Sequence, residues 1–88
     1  MNKIYKYELE VATSQTVEMP SGAEVLCVQV QDGKPRLWAM IDPDYAMREY
    51  KTIEVYGTGH PIEPGERKYI STFQLRDGSL VFHVFEKL

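Results

Sequence analysis

The sequence predicts an all-β fold: a small antiparallel sandwich or a barrel-like meander of about six or seven short strands. Three observations favour it. Apolar and polar residues alternate with a period of two in several short runs, Asp-Gly pairs separate some of these runs, and Gly and Pro fill the other breaks. The whole chain, residues 1–88, is long enough for one domain with a thin core and too short for two.

Four strands are expected in the first half of the chain. They cover residues 3–11, 16–19, 24–31 and 36–42. Asp32-Gly33 is expected at the tip of a hairpin that joins the last two. In the strand over 24–31, the simple alternation puts Leu26, Val28 and Val30 on one face. It puts Val25, Cys27 and Gln29 on the other.

The strand over 36–42 carries apolar residues on both faces. Leu37, Ala39 and Ile41 alternate with Trp38 and Met40. A thin two-layer domain cannot bury both sets, so we expect Trp38 and Met40 to lie at a contact between two copies of the chain, most simply in a homodimer.

The second half is expected to begin with one helical turn over Tyr45–Glu49 and a strand over 50–56. An irregular segment over 57–67 follows, because its three glycines and two prolines exclude a helix or a central strand. The chain then closes with a hairpin that has Asp77-Gly78 at its tip. In that hairpin, one face is expected to carry the following residues: Tyr69, Ser71, Phe73, Leu75, Leu80, Phe82 and Val84.

Charge and composition exclude some classes of partner. The net charge of −3 argues against binding to duplex nucleic acid or to an anionic membrane, both of which require clustered basic residues. Cys27 lies in an apolar run and is expected to be a buried small side chain. The first residues lack an apolar segment of signal-peptide length, so we expect a cytoplasmic protein.

No catalytic or metal-binding pattern is present in the sequence. His60 precedes a proline and is expected to be exposed, whereas His83 lies within a strand and is expected to be a hydrogen-bonded structural residue. Two histidines without spaced Cys, Asp or Glu do not predict a metal site. We therefore expect no cofactor, no metal and no catalytic residues, and enzyme activity is disfavoured.

The irregular segment is the place where we expect a ligand, if the protein binds one. Glycines at 57 and 59 would offer backbone N–H groups, Thr58 a hydroxyl, and His60, Arg67 and Lys68 positive charge for a small anion such as a nucleotide. If the strands over 50–56 and 68–75 pair, Arg48 and Lys51 would join this site. The alternative is a glycine-rich connection bracketed by solvated charges.

Several segments make the chain similar, over nearly its full length, to a family of small phage- and prophage-encoded proteins of unknown function. Those segments are Ile4-Tyr5-Lys6-Tyr7, Gly22-Ala23, Val28-Gln29-Val30, Leu37-Trp38-Ala39, Tyr56-Gly57-Thr58-Gly59-His60-Pro61 and Leu80-Val81-Phe82-His83-Val84-Phe85. The resemblance implies a viral or prophage origin and a site of action in the host cytoplasm. It implies no activity and no functional residues.

The leading hypothesis is a non-enzymatic phage accessory protein that binds a host factor, such as a component of bacterial defence, and inhibits or sequesters it. One form is a protein inhibitor, and the other is a sponge for a small nucleotide-like anion at the irregular segment. A minor structural or assembly protein of the phage is the second class. A small nucleotide hydrolase that uses His60 is the third.

Overall fold

A computed structural model describes all residues, 1–88, and confirms the all-β fold. Seven strands form two antiparallel sheets. The strands are β1 (Lys3–Glu8), β2 (Gln15–Pro20), β3 (Glu24–Gln31), β4 (Lys34–Ile41), β5 (Arg48–Gly57), β6 (Arg67–Leu75) and β7 (Leu80–Lys87). A short 3₁₀ turn, Arg76–Gly78, lies between β6 and β7. None of the helical structure is long and apolar enough to cross a membrane.

The two sheets are joined along one side only. The three-stranded sheet has the order β1-β4-β3, and the four-stranded sheet has the order β2-β5-β7-β6. The edge strands β3 and β6 lie against each other, and the backbone N–H of Val28 donates a hydrogen bond to the hydroxyl of Ser71 across this junction. The opposite edges, β1 and β2, are not paired with each other. The molecule is therefore an open sandwich and not a closed barrel.

The core lies between the two sheets and is formed by one face of each strand. Its largest fully buried side chains are Val28, Leu37 and Ile41 from the three-stranded sheet and Met19, Ile53 and Val84 from the four-stranded sheet. Burying each side chain of this size stabilises the fold by about 1.5–3 kcal/mol. The opposite face of each sheet, which points away from this core, is its outer face.

Both Asp-Gly pairs lie at hairpin tips, as the sequence predicts. Asp32 and Gly33 form a two-residue loop with φ angles of 54° and 76°, which is the type I′ geometry that suits the twist of the flanking strands. The second tip is longer, because Leu75 pairs with Leu80 and leaves four residues between them. There Arg76, Asp77 and Gly78 all have positive φ.

Two strands contain a bulge, and the predicted faces are wrong on the N-terminal side of each. In β3 the register shifts between Val25 and Cys27, so Val25 and Val28 both face the core and Leu26 is 40% exposed. In β6 it shifts between Tyr69 and Ser71, which turns Tyr69 to the outer face. A bulge adds one residue to a strand and reverses the alternation, so simple periodicity cannot reveal it.

Two further expectations are wrong in detail. The segment Tyr45–Glu49 is not helical, because Asp42 closes a turn with the backbone N–H groups of Asp44 and Tyr45, and β5 already begins at Arg48. The first strand ends at Glu8 and does not reach Val11.

Candidate functional site

The segment after β5 begins with a tight turn. The backbone N–H of His60 donates to the carbonyl of Gly57 at 3.1 Å, and Gly59 has a φ of 86°, which is the geometry of a type II turn. The imidazole of His60 lies against the α-carbon of Gly57. A Cβ atom at residue 57 would come within 2.9 Å of the ring, so glycine is needed for this contact.

A cleft of about 220 Å³ lies beside this turn. Gly57, Thr58 and His60 form one side, and the start of β7, Leu80–Phe82, forms much of the other. The backbone N–H of Thr58 donates to the carbonyl of Val81 at 3.2 Å and fixes the spacing of the two sides. Three of the six predicted ligand-binding residues therefore line one cleft, and Gly59 lies in the turn above it.

Arg67 and Lys68 lie at the opposite end of the same sheet. Strand β7 separates β5 from β6, so residues 50–56 do not pair with residues 68–75, and the condition for a site that includes Arg48 and Lys51 is not met. Gly57 pairs with Phe82 of β7, whereas Arg67 pairs with Lys87. Five residues of a strand span about 17 Å, so the two basic residues are far from the turn at Gly57–His60.

The nine residues between β5 and β6 must therefore cross β7. The backbone of Glu63 lies beside the Tyr56 hydroxyl, and the carbonyl of Glu66 accepts a hydrogen bond from the N–H of Leu88. This crossing explains why Glu54 and Tyr56 are each only 5% exposed although they lie on the outer face. The irregular segment is a cover over the sheet and not a free loop.

Arg67 is engaged beneath this cover. Its Nε donates a hydrogen bond to the Glu54 carboxylate at 2.8 Å, and its guanidinium lies 5.9 Å from the centre of the Tyr56 ring. The hydrogen bond from Arg67 lowers the pKa of Glu54, although burial acts in the opposite direction. Burial, and then the Glu54 carboxylate, raises the pKa of the Tyr56 hydroxyl. The charge of Arg67 is thus neutralised within the protein.

The other basic residues near the irregular segment also lie in different places, each with its own neighbours. Lys51 forms ion pairs with Glu49 and Glu86, and Arg48 lies 3.8 Å from Glu18. Lys68 lines a separate gap of about 210 Å³ between β3 and β6, together with Glu24, Leu26, Tyr69, Ile70 and Glu86. The four basic residues do not surround one site.

His83 is a hydrogen-bonded residue, as the sequence predicts. Its Nε2 lies 2.7 Å from the hydroxyl of Thr58, and its Nδ1 lies 3.0 Å from the hydroxyl of Thr72, which in turn lies 2.7 Å from the Tyr69 hydroxyl. Sequence reasoning missed these partners because they come from other strands and turns, distant from His83 along the chain. No group of three or more His, Cys, Asp or Glu side chains is placed to hold a metal ion.

The outer face of the three-stranded sheet carries an apolar strip, which we call the Trp38 face and define by Ile4, Cys27, Trp38 and Met40. On β4, Trp38 and Met40 are half-buried. Ile4 of β1 lies opposite Met40 and is 60% exposed, and Cys27 of β3 lies opposite Trp38. Cys27 is therefore half-exposed on this face and not part of the core.

Charged and polar side chains surround the Trp38 face. Lys6 lies opposite Trp38 on β1 and donates a hydrogen bond to Gln31 at 2.7 Å. Arg36 donates a hydrogen bond to Glu8 at 2.6 Å. The expectation that Trp38 and Met40 lie at a contact between two copies stays a prediction.

A family model described as "Domain of unknown function (DUF7352)" matches residues 1–88 of the chain. No curated protein and no solved structure matches it. Because the family model covers the full length, the chain belongs to the DUF7352 family, whose members share a domain of unknown function.

Proposed function

We propose that this chain is a phage- or prophage-encoded accessory protein that binds a host protein in the cytoplasm and inhibits or sequesters it. The observation that supports the proposal is the Trp38 face. It places a half-buried tryptophan and a half-buried methionine at the centre of the outer face of the three-stranded sheet. The resemblance to phage and prophage proteins supports the origin.

The layout of this face resembles that of protein–protein interfaces. Such interfaces are enriched in aromatic residues, Met and Arg at their centre, and they have a polar rim. Trp38 and Met40 provide the centre, while Lys6, Glu8 and Arg36 provide the rim. Aromatic side chains at such positions contribute a large share of binding energy when a partner covers them.

The geometry gives less support to a sponge for a small anion. Arg67 is already paired with Glu54, and Lys68 lies in a different gap from Gly57–His60. His60 is the one basic side chain among the residues that line the cleft. A protein partner is therefore our choice between the two forms of the hypothesis.

The test compares three forms of the protein as bait in extracts of host cells: wild type, Trp38→Glu and the control Tyr50→Glu. Tyr50 is 68% exposed on the outer face of the other sheet, so the control makes the same chemical change on a surface outside the proposed site. We expect wild type and Tyr50→Glu to retain the same host protein. Trp38→Glu lacks the central aromatic anchor, so it should retain roughly tenfold less of that host protein, or less still.

The retained protein is then purified and titrated with each form by calorimetry. A host protein that binds wild type and Trp38→Glu with equal affinity would exclude the Trp38 face as its site. Retention of capsid or tail proteins would favour the structural class. Retention of the chain itself, lost only in Trp38→Glu, would assign the face to a contact between two copies. Melting curves of the three forms establish that each is folded.

A further inference from the structure

The two sheets have four edge strands, and these are protected to different degrees. Strands β3 and β6 lie against each other, and each contains a bulge. Bulges and contact with other elements are two ways in which proteins prevent an edge from adding a further strand. The remaining edges, β1 and β2, each have a neighbour on one side only.

Strand β2 is protected by a proline. The N–H of Ser21 donates to the carbonyl of Met47, so the backbone groups of Ser21 point toward the chain that leads into β5. The backbone groups of successive residues in a strand point in opposite directions, so those of Pro20 point away from β5. Proline has no N–H, so the free edge lacks a donor at this position. A neighbouring strand would lose one of its hydrogen bonds there.

Strand β1 has no such protection. The N–H of Leu9 donates to the carbonyl of Pro35, so the backbone groups of Leu9 point toward β4. The N–H and C=O groups of every second residue before Leu9 point toward β4 as well. The N–H and C=O groups of Ile4, Lys6 and Glu8 therefore point outward. Five of the six residues of β1 are exposed, and the strand contains no proline and no bulge.

The open part of this edge has a defined end. The side chain of Gln15 accepts a hydrogen bond from the N–H of Glu10 at 3.0 Å and donates one to its carbonyl at 2.7 Å. These two bonds occupy the backbone groups of Glu10. The Lys6 side chain, in contrast, folds back over its own sheet to Gln31 and leaves the edge uncovered.

We infer that the free edge of β1 pairs with β1 of a second copy of this chain, antiparallel and about a two-fold axis, with Lys6 of each copy opposite Glu8 of the other. The inference is independent of the proposed function. In an antiparallel pair, residues that face each other lie on the same side of the sheet, and Lys6 and Glu8 are both on the outer face. The pairing thus places two opposite charges together twice. It requires Lys6 to turn from Gln31 toward Glu8, which also accepts a hydrogen bond from Arg36.

Charge selects this register over its neighbour. A shift by two residues would set Lys6 opposite Lys6 of the second copy, and like charges in that position are unfavourable. The chosen register uses the outward groups of Lys6 and Glu8 only, because Ile4 of each copy then lies opposite Glu10 of the other, whose backbone groups Gln15 already occupies. Arg36 lowers the pKa of Glu8, chiefly through its hydrogen bond, so Glu8 carries its charge at neutral pH.

The resulting dimer would have one continuous six-stranded sheet. A two-fold axis perpendicular to the sheet keeps both outer faces on the same side. The two Trp38 faces would then lie side by side and exposed, and the dimer would offer two copies of the face to a partner. A contact through Trp38 itself would instead bury both faces.

The test uses charge reversal and its rescue, measured by sedimentation equilibrium over roughly 10 to 300 micromolar protein, the range suited to a small interface. Wild type should dimerise. Lys6→Glu and Glu8→Lys should each weaken the dimer by roughly tenfold or more, since each sets like charges opposite one another. An equimolar mixture of the two variants should restore it, because both acidic side chains of one variant then face lysines of the other.

A second pair of variants tests the backbone groups of the edge. Because Lys6→Pro also removes a charge, Lys6→Ala, which keeps the N–H, is measured beside it and should weaken the dimer less. Lys6→Pro removes an N–H that points away from β4, so no hydrogen bond to β4 is lost. The variant should therefore be folded and monomeric. Thr16→Pro makes the same change at an outward position of β2 and should leave the dimer intact. A monomeric wild type, a mixture that fails to recover, or a dimer lost in Trp38→Glu but kept in Lys6→Pro would each overturn the inference.

Discussion

The backbone N–H of Val28 and the hydroxyl of Ser71 form a 2.9 Å hydrogen bond that joins the two sheets at their edges. Val28 is 1% exposed, so its amide has no access to solvent as a substitute partner. We expect Ser71→Ala to destabilise the fold by roughly 1–3 kcal/mol, the range for a buried donor left without a partner. Ser14→Ala, at an exposed position, is the matched control and should have little effect. Chemical denaturation of both variants measures the difference, and equal stability would show that the bond contributes nothing.

The ion pair between Arg67 and Glu54 should make stability depend on acid pH. Folding lowers the pKa of Glu54 from its usual 4.5, chiefly through the hydrogen bond from Arg67. Its stabilising contribution is therefore present above pH 4.5 and is lost as the pH falls through the lower pKa of the folded state. Glu54→Gln removes the charge and should lower the melting temperature at neutral pH.

The measurement is the free energy of unfolding of wild type and Glu54→Gln between about pH 3 and pH 6. The stability of wild type should fall more steeply toward low pH than that of the variant, so the two curves converge. Parallel curves would show that the ion pair is not the source of the acid sensitivity.

Gly78 should resist replacement by a larger residue. Its φ of 87° is unfavourable for a residue with a side chain, and a Cβ atom there would lie 3.0 Å from the Gln74 side-chain oxygen. Gly78→Val should destabilise the protein by roughly 1 kcal/mol or more. Gly78→Ala and Gln74→Ala, made singly and together, separate the contribution of backbone strain from that of the contact. If Gly78→Val melts at the wild-type temperature, the conformation of this hairpin tip is different from the one described.

Nucleotides test the cleft at Gly57–His60. Calorimetric titration with mono-, di- and cyclic nucleotides should give no binding, because Arg67 is neutralised by Glu54 and Lys68 lies elsewhere. If one binds, His60→Ala and Arg67→Ala are compared. Loss of binding in His60→Ala alone would place the ligand in the cleft. Loss in both would mean that Arg67 leaves Glu54, and the sponge form of the hypothesis would then be restored.

The sequence predicts the hairpins of this fold better than its long-range arrangement. Asp32-Gly33 and Asp77-Gly78 are local signals, because the conformation of a tight turn depends on a few adjacent residues. The bulges at Leu26 and Ile70 lie in β3 and β6, the two strands that meet at the junction of the sheets, and no local pattern reveals either bulge. The insertion of β7 between β5 and β6 is equally non-local.

The same difference applies to the candidate functional residues. The sequence correctly identifies Trp38 and Met40 as the second apolar face of β4, because alternation within one strand shows which side chains point together. It groups Arg67 and Lys68 with Gly57–His60 only because they are close along the chain. The crossing of β7 separates them, and that separation follows from strand order, which the sequence alone does not specify.

Site-specific photo-crosslinking tests the central claim most directly. A photoreactive amino acid replaces Ile4, which is 60% exposed on the Trp38 face, or Tyr50, which is 68% exposed on the other sheet. Irradiation of host cells that express the Ile4 form should give a discrete adduct with one host protein, and the Tyr50 form should not give that adduct. Adducts that form from Tyr50 and not from Ile4 would contradict the proposal that the protein binds its partner through the Trp38 face.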